Sequence, residues 1–244
     1  MGTRREIVMV LALLSVGGGI RLAAQPVPAL PSVDVDAVRR LAERGDGTAA
    51  YILGTAYFHG RGVEQNDQVA VNWFEQAAER GIAFAQWHLS DVYAEGNRVP
   101  QHDQRAYRWA LAAALQGVDG AQYRLGLLYL EGRGVPTDDQ QAANWFEQAA
   151  RQGNARAQYN LGLLYARGRG VPMSLPTAYR WLLLAAAQGH RESAFDRDAI
   201  RQQLSESEVL QMQADAGRFT PEPHFARADV DRQIAAIREM AERY

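Results

Sequence analysis

The chain has no cysteine, so it can form no disulfide framework and offers neither a thiolate nucleophile nor a zinc–thiolate site. It has no lysine either, since all 26 basic residues are arginine. That removes Schiff-base chemistry, the phosphate-gripping lysine of a P-loop and the Ser-x-x-Lys acyl enzyme. Charge of one sign is also missing. A formal balance of −2 gives no electrostatic footprint for nucleic acid and no basic helix for a membrane surface. Long apolar runs are scarce, and the one near the N-terminus, Ile7 to Val16, is too short to span a bilayer.

What the chain does have is a period. Gly45, Gly81, Gly117, Gly153 and Gly189 recur every 36 residues, and other columns recur with them. Leu53, Leu89, Leu125 and Leu161 form one; Tyr57, Tyr93, Tyr129 and Tyr165 another; Trp73, Trp109, Trp145 and Trp181 a third. A fixed period in this range marks a stacked repeat array, in which no unit buries its apolar face alone.

Each unit reads as two helices. Ala121, Leu125 and Tyr129 lie at i, i+4, i+8, and Ala142, Trp145, Ala149 and Ala150 at i, i+3, i+7, i+8. Both spacings place one apolar stripe on a 3.6-residue helix, so the tryptophan column is expected in the core. Gly132-Arg133-Gly134-Val135-Pro136 separates helix A from helix B, and Asp138 and Asp139 offer caps to the free amides that open helix B. The glycines between units, such as Gly153, suit the left-handed residue just past helix B.

These residues carry a resemblance. AQYRLGLLYLEGRGVPTDDQQAANWFEQAARQG at 121–153 and AQYNLGLLYARGRGVP at 157–172 resemble the SEL-one-like repeat family, slightly longer relatives of the tetratricopeptide repeat. AAYILGTAYFHGRGV at 49–63 is similar. The second unit departs at Ser90 and at Asn97-Arg98, and the fourth carries Leu175-Pro176 where the others have acidic or polar residues. The resemblance covers roughly 36–212. It implies an all-α, right-handed α–α superhelical solenoid of four 36-residue two-helix repeats with N- and C-terminal capping helices.

Taken in order, residues 1–24 read as a signal peptide, with Arg4-Arg5, the apolar core from Ile7 and a Leu22-Ala23-Ala24 cleavage site. Thr3 to Val8 is also similar to a twin-arginine export motif. Residues 25–35 are a proline-bearing linker and 36–44 a capping helix. Repeats follow at 45–80, 81–116, 117–152 and 153–188, then a degenerate cap at 189–216. In that cap Arg197 and Arg201 fall in the leucine and tyrosine columns, and Ser205-Glu206-Ser207-Glu208 is a capping box. Residues 217–244 form a tail whose Val230, Ile234, Ile237 and Met240 have helical spacing. The tail either folds on the array or binds a partner.

No chemistry-bearing constellation emerges from this pattern. His59, His88, His102, His190 and His224 share no metal-ligand spacing and read as loop or surface residues. No serine lies in a Gly-x-Ser-x-Gly turn. The pairs Asp138/Asp139 and Asp196/Asp198 read as a helix start and a cap, and the Gly-Arg-Gly loops as punctuation rather than phosphate cradles. No catalytic residue, metal site or cofactor is assigned.

The resemblance implies a binding surface instead. In tetratricopeptide-like arrays helix A lines the concave side, and ligands meet the helix-A positions away from the Leu/Tyr stripe. Carried over by column, these are Tyr51, Trp87, Tyr123 and Tyr159; Thr55, Asp91, Leu127 and Leu163; and Phe58, Ala94, Leu130 and Ala166. Aromatics bring large contact area at low entropy cost, but the first column could equally pack between repeats. The Thr55 column varies from unit to unit and is the better candidate for specificity. The expected function is a non-catalytic, monomeric scaffold or adaptor of the cell envelope that binds a protein or peptide. It would be periplasmic and not a lipoprotein, with no nucleic acid and no stable membrane insertion after signal cleavage. Two alternatives stay open: an exported hydrolase of cell-wall or β-lactam substrates, and a periplasmic regulator of a signalling receptor or exopolysaccharide machinery.

Overall fold

The computed structural model describes residues 35–222; the segment 1–24 read as a signal peptide, most of the linker and the tail from residue 223 lie outside the described residues. Among the described residues there are eleven helices and no strand. They are α1 (Val35–Glu43), α2 (Gly47–His59), α3 (Asp67–Glu79), α4 (Ala83–Glu95), α5 (Asp103–Leu115), α6 (Asp119–Glu131), α7 (Asp139–Arg151), α8 (Ala155–Arg167), α9 (Leu175–Ala187), α10 (Arg191–Arg201) and α11 (Glu206–Gly217). The even helices from α2 to α8 are the A helices of the repeats, and α3 to α9 their B partners. The chain is an α–α solenoid in two compact units, one ending at Gln101 and the next beginning at His102.

Local chemistry fixes the helix lengths. Asn66, Asp138 and Ser174 open α3, α7 and α9 by accepting backbone N–H bonds, which satisfies donors that have no partner within the helix. Asp138 alone caps α7, taking bonds from the amides of Gln140 and Gln141. Asp139, also expected as a cap, instead pairs with Arg169. Leu175-Pro176 does not shift the fourth B helix, because proline is tolerated in the first turn and Ser174 supplies the cap. Helix A of the third repeat ends at Gly132, φ 68°, whose N–H bonds the Leu128 carbonyl; a side chain there would be strained. The Ser205/Glu208 capping box of α11 is complete.

Within unit two, α6 packs on α7, α7 on α8, and α8 on α9. The core stripe of α7 is Ala142, Ala143, Phe146, Ala149 and Ala150, all buried. Trp145 is not in it. It stays half-exposed while its neighbour Phe146 is fully buried, and Trp73 is likewise half-exposed, so the expected tryptophan core holds for Trp109 and Trp181 and is corrected for Trp73 and Trp145. The reason lies on helix A. A Cβ at Gly126 would sit 2.6 Å from the Phe146 ring, so glycine opens the slot that the phenylalanine fills. Gly54 and Phe74 repeat this fit in unit one.

Two polar devices join successive repeats. Gln122 and Gln158, fully buried on α6 and α8, donate to the Ala114 and Ala150 carbonyls in the last turn of the preceding B helix, at 3.3 and 3.1 Å. Their own amide oxygens accept from Gln152 and Gln188, at 2.6 and 2.8 Å. Gln86 makes the same bond to Ala78 in unit one. The second device uses the interhelical loop. Arg133 reaches Asp103 at 2.7 Å and Arg169 reaches Asp139 at 3.0 Å, each acid opening the preceding B helix. In the second repeat Asn97 stands in the arginine column, and Arg98, one residue on, takes the equivalent Asp67 at 2.7 Å. The Gly-Arg-Gly loops at 132–134 and 168–170 are therefore inter-repeat fasteners. A side chain at Gly134 would collide with the Asp103 carbonyl.

Unit one contains an aromatic cluster around His88. Its ring stacks on Phe74 (5.2 Å, 10°) and Trp87 (5.4 Å), with Tyr51 and Phe58 about it at 5.9 and 6.2 Å. His88 is thus a packed histidine rather than the surface residue expected. Burial, with the nearby His59 adding to it, pushes its pKa down to about 4. His102 and His190 serve as helix caps.

Two outcomes are expected from this packing. Gly126→Ala forces Phe146 aside and should cost about 1–3 kcal/mol in chemical denaturation, as overpacking does; an unchanged midpoint would show that the seam has slack. His88 binds a proton near pH 6.5 when unfolded but only near 4 when folded. Its contribution is whole above pH 6.5 and lost as pH falls toward 4, by about 2–3 kcal/mol. Melting temperatures at pH 7.5 and 5.0 should therefore converge in His88→Phe relative to the unsubstituted chain.

Candidate interaction surface

After the core is filled, the A helices keep one further stripe. In unit one it comprises Tyr51, Thr55 and Phe58 on α2, and Trp87 and Asp91 on α4. Tyr51 is buried at 9% exposure against Phe74 and His88, and burial drives its phenol well above the ordinary range. It is a packing residue, so its place on a contact surface is corrected. Thr55 is half-buried and donates its hydroxyl to the Ile52 carbonyl (2.7 Å), one turn back on its own helix. The Arg98 guanidinium lies 4.0 Å over the Phe58 ring. Trp87 and Asp91 are half-buried, whereas Ala94 is buried.

In unit two the stripe comprises Tyr123, Leu127 and Leu130 on α6, and Tyr159, Leu163 and Ala166 on α8, all half-buried. Tyr123, Leu127 and Leu130 pack part of their surface on the α7–α8 core, and Tyr159 and Ala166 do the same toward α9 and α10. Burial raises the Tyr123 phenol, while Arg156, Arg124 and a bond to Asn160 pull against it. Burial also raises Tyr159, and here the hydrogen bond to Asp196 adds to it. The Tyr159 ring stacks on His190 at 4.5 Å.

A rule connects these contacts. Tyr51 meets His88, Tyr123 meets Asn160 and Tyr159 meets Asp196, in each case the residue 37 positions on, in the next A helix. Tyr51 is thus spent on packing, whereas Tyr123 and Tyr159 pack between repeats through one face and stay half-exposed on the other. At the end of the array the same column holds Phe195, 78% exposed, which has no following repeat to pack on.

Sequence reasoning missed the buried glutamines. The signal was present, since Gln86, Gln122 and Gln158 recur at the period inside an otherwise apolar stripe. A buried amide needs partners on both ends, and a repeating one implies a repeating bond. Among the described residues, no three His, Asp or Glu side chains come together to hold a metal ion. Nor is any described helix long and apolar enough to cross a membrane.

This repeat geometry has relatives. A family model for the Sel1 repeat matches residues 47–82, 83–118, 120–154 and 155–190, more than half of the chain. Among solved structures, the chain is similar to a Sel1 repeat protein from Oxalobacter formigenes. Identity is 39% and the TM-score 0.61, over 68% of this chain and 48% of that one. It is similar also to c5321, a protective antigen of uropathogenic Escherichia coli strains displaying an SLR fold. Here identity is 29% and the TM-score 0.69, over 84% and 43% of the two chains. The chain thus spans about half or less of the length of these solved proteins. A comparison with curated proteins finds no match. Sel1 repeats mediate protein–protein interaction, and proteins built from them are generally scaffolds. With four such repeats, this chain belongs to the Sel1 repeat family.

Proposed function

We propose that this chain is an exported, non-catalytic interaction scaffold of the bacterial cell envelope. It binds a protein or peptide segment along the A-helix stripe of its repeats. The observation that carries the reading is the stripe left in unit two once the core is full: Tyr123, Leu127, Tyr159 and Leu163 keep half-exposed apolar surface on successive A helices. That surface is held in place by packing beneath it, so a ligand docks without first ordering the receptor. The arginine pair, apolar run and Leu-Ala-Ala of residues 1–24 support export.

Leu163→Arg tests the reading. Leu127 and Leu130 are partly committed to the core, so Leu163 is the better probe of the exposed side. The chain from Gln25 onward, bare and with Leu163→Arg, would be used to capture partners from an envelope extract. The expected result is a partner retained by the unsubstituted chain and lost at least tenfold by the variant, with matching melting curves. Equal retention would remove the A-helix stripe as the contact. Export is checked by fusing residues 1–40 to a reporter enzyme active only outside the cytoplasm.

A further inference from the structure

The opposite side of the repeats carries a second pattern, which does not depend on the A-helix reading. Each B helix has a tryptophan, but the residue before it alternates. Asn72-Trp73 and Asn144-Trp145 stand in repeats one and three, Arg108-Trp109 and Arg180-Trp181 in repeats two and four. The difference runs in step with exposure. Arg108 lies 4.8 Å from the Trp109 ring centroid and Arg180 4.8 Å from that of Trp181. Both rings are closed off, at 8% and 6% exposure, and Phe219 adds an edge-on contact to Trp181. Asparagine is too short to reach the indole face, and Trp73 and Trp145 stay half-exposed. In repeat one, however, Asn72 already accepts a bond from Gln68 at 3.2 Å.

Trp145 sits in a cleft of about 490 Å³ on the outer face of α7, within the roughly 300–1,000 Å³ of small-molecule sites. One wall is the stretch after α11, held in place by the Glu222 N–H bond to the Arg151 carbonyl (3.0 Å) and by Phe219 against Trp181. Beside the indole stand the amides of Gln141, Asn144 and Gln148. The cleft's charged groups are largely matched, Arg151 being paired with Glu147 at 2.7 Å. Gln152 and Glu222 complete the lining.

We infer that this cleft binds an uncharged oligosaccharide, with a pyranose ring stacked on Trp145. A pyranose presents a C–H face that packs on an aromatic plane and a rim of hydroxyls that both donate and accept. A single aromatic platform ringed by amides, which also donate and accept, matches both features. A phosphorylated ligand would meet Glu147 and Glu222 with only one arginine to offset them. An apolar helix would find one indole where it needs a continuous stripe.

The test titrates the chain with cellohexaose and chitohexaose, followed by calorimetry and tryptophan fluorescence. Asn144→Arg gives repeat three the arginine that repeats two and four already carry, at an exposed position, and sets a guanidinium against the indole where the sugar would stack. Binding of at least one hexasaccharide is expected, weakened at least tenfold by Asn144→Arg with unchanged melting, and abolished by Trp145→Ala. Leu163→Arg, on the A-helix side, should bind sugar as the unsubstituted chain does, which keeps this result distinct from partner capture. No binding of either sugar at millimolar concentration would overturn the inference. So would equal binding by Asn144→Arg, or displacement of the sugar by an apolar helical peptide.

Discussion

A buried helix end governs this structure. The last turns of α3, α5 and α7 each point a carbonyl into the joint with the following A helix, where a buried glutamine bonds it, and an unpaired buried group would cost about 1–3 kcal/mol. The chain's answer is a glutamine on the next A helix, Gln122 for Ala114 and Gln158 for Ala150. The oxygen of that glutamine then needs a donor, which the residue just past its own B helix supplies, Gln152 or Gln188. Each glutamine therefore ties three helices together. A helix pair without its neighbour loses both apolar burial and this bond, which is why stability in such arrays resides at the interfaces.

The sequence announced most of the fold because its columns repeat. Helices, loop glycines and the α11 capping box follow from spacing and cap chemistry. What it concealed were questions of partner. Tryptophan and phenylalanine are adjacent in Trp145-Phe146, and either could have faced the core by helical spacing. Only the missing side chain at Gly126, one helix away, selects Phe146. His88 looked like a surface histidine because its stacking partners, Phe74 on α3 and Tyr51 on α2, are distant in sequence. Asn97-Arg98 looked like a lost loop motif, yet Arg98 reaches the acid from the next position. Of the contact surface, the column positions were legible. How far each side chain is spent on packing was not, and Tyr51 is the clearest case.

The two sides of the repeats differ in chemistry. The A helices pack through one edge and leave a half-apolar stripe, an arrangement suited to a protein segment. The B helices are mostly polar outside, interrupted by a tryptophan that arginine covers in alternate repeats. A scaffold with an aromatic cleft on its outer face could hold a protein on one side while engaging a polymer of its surroundings on the other. The A-helix stripe is set by the interfaces between repeats, whereas the cleft also takes a wall from the stretch after α11.

That dependence on interfaces is open to one direct measurement, native-state hydrogen exchange on Gln158→Leu. The side chain of Gln158 bonds the end of α7 and receives a bond from the end of α9. The account predicts that amide protection falls together at the end of α7, along α8 and at the end of α9, while α5 in the same unit keeps its protection. Loss confined to α8 would contradict it, and the repeats would then be held by apolar contact without the glutamine bridge.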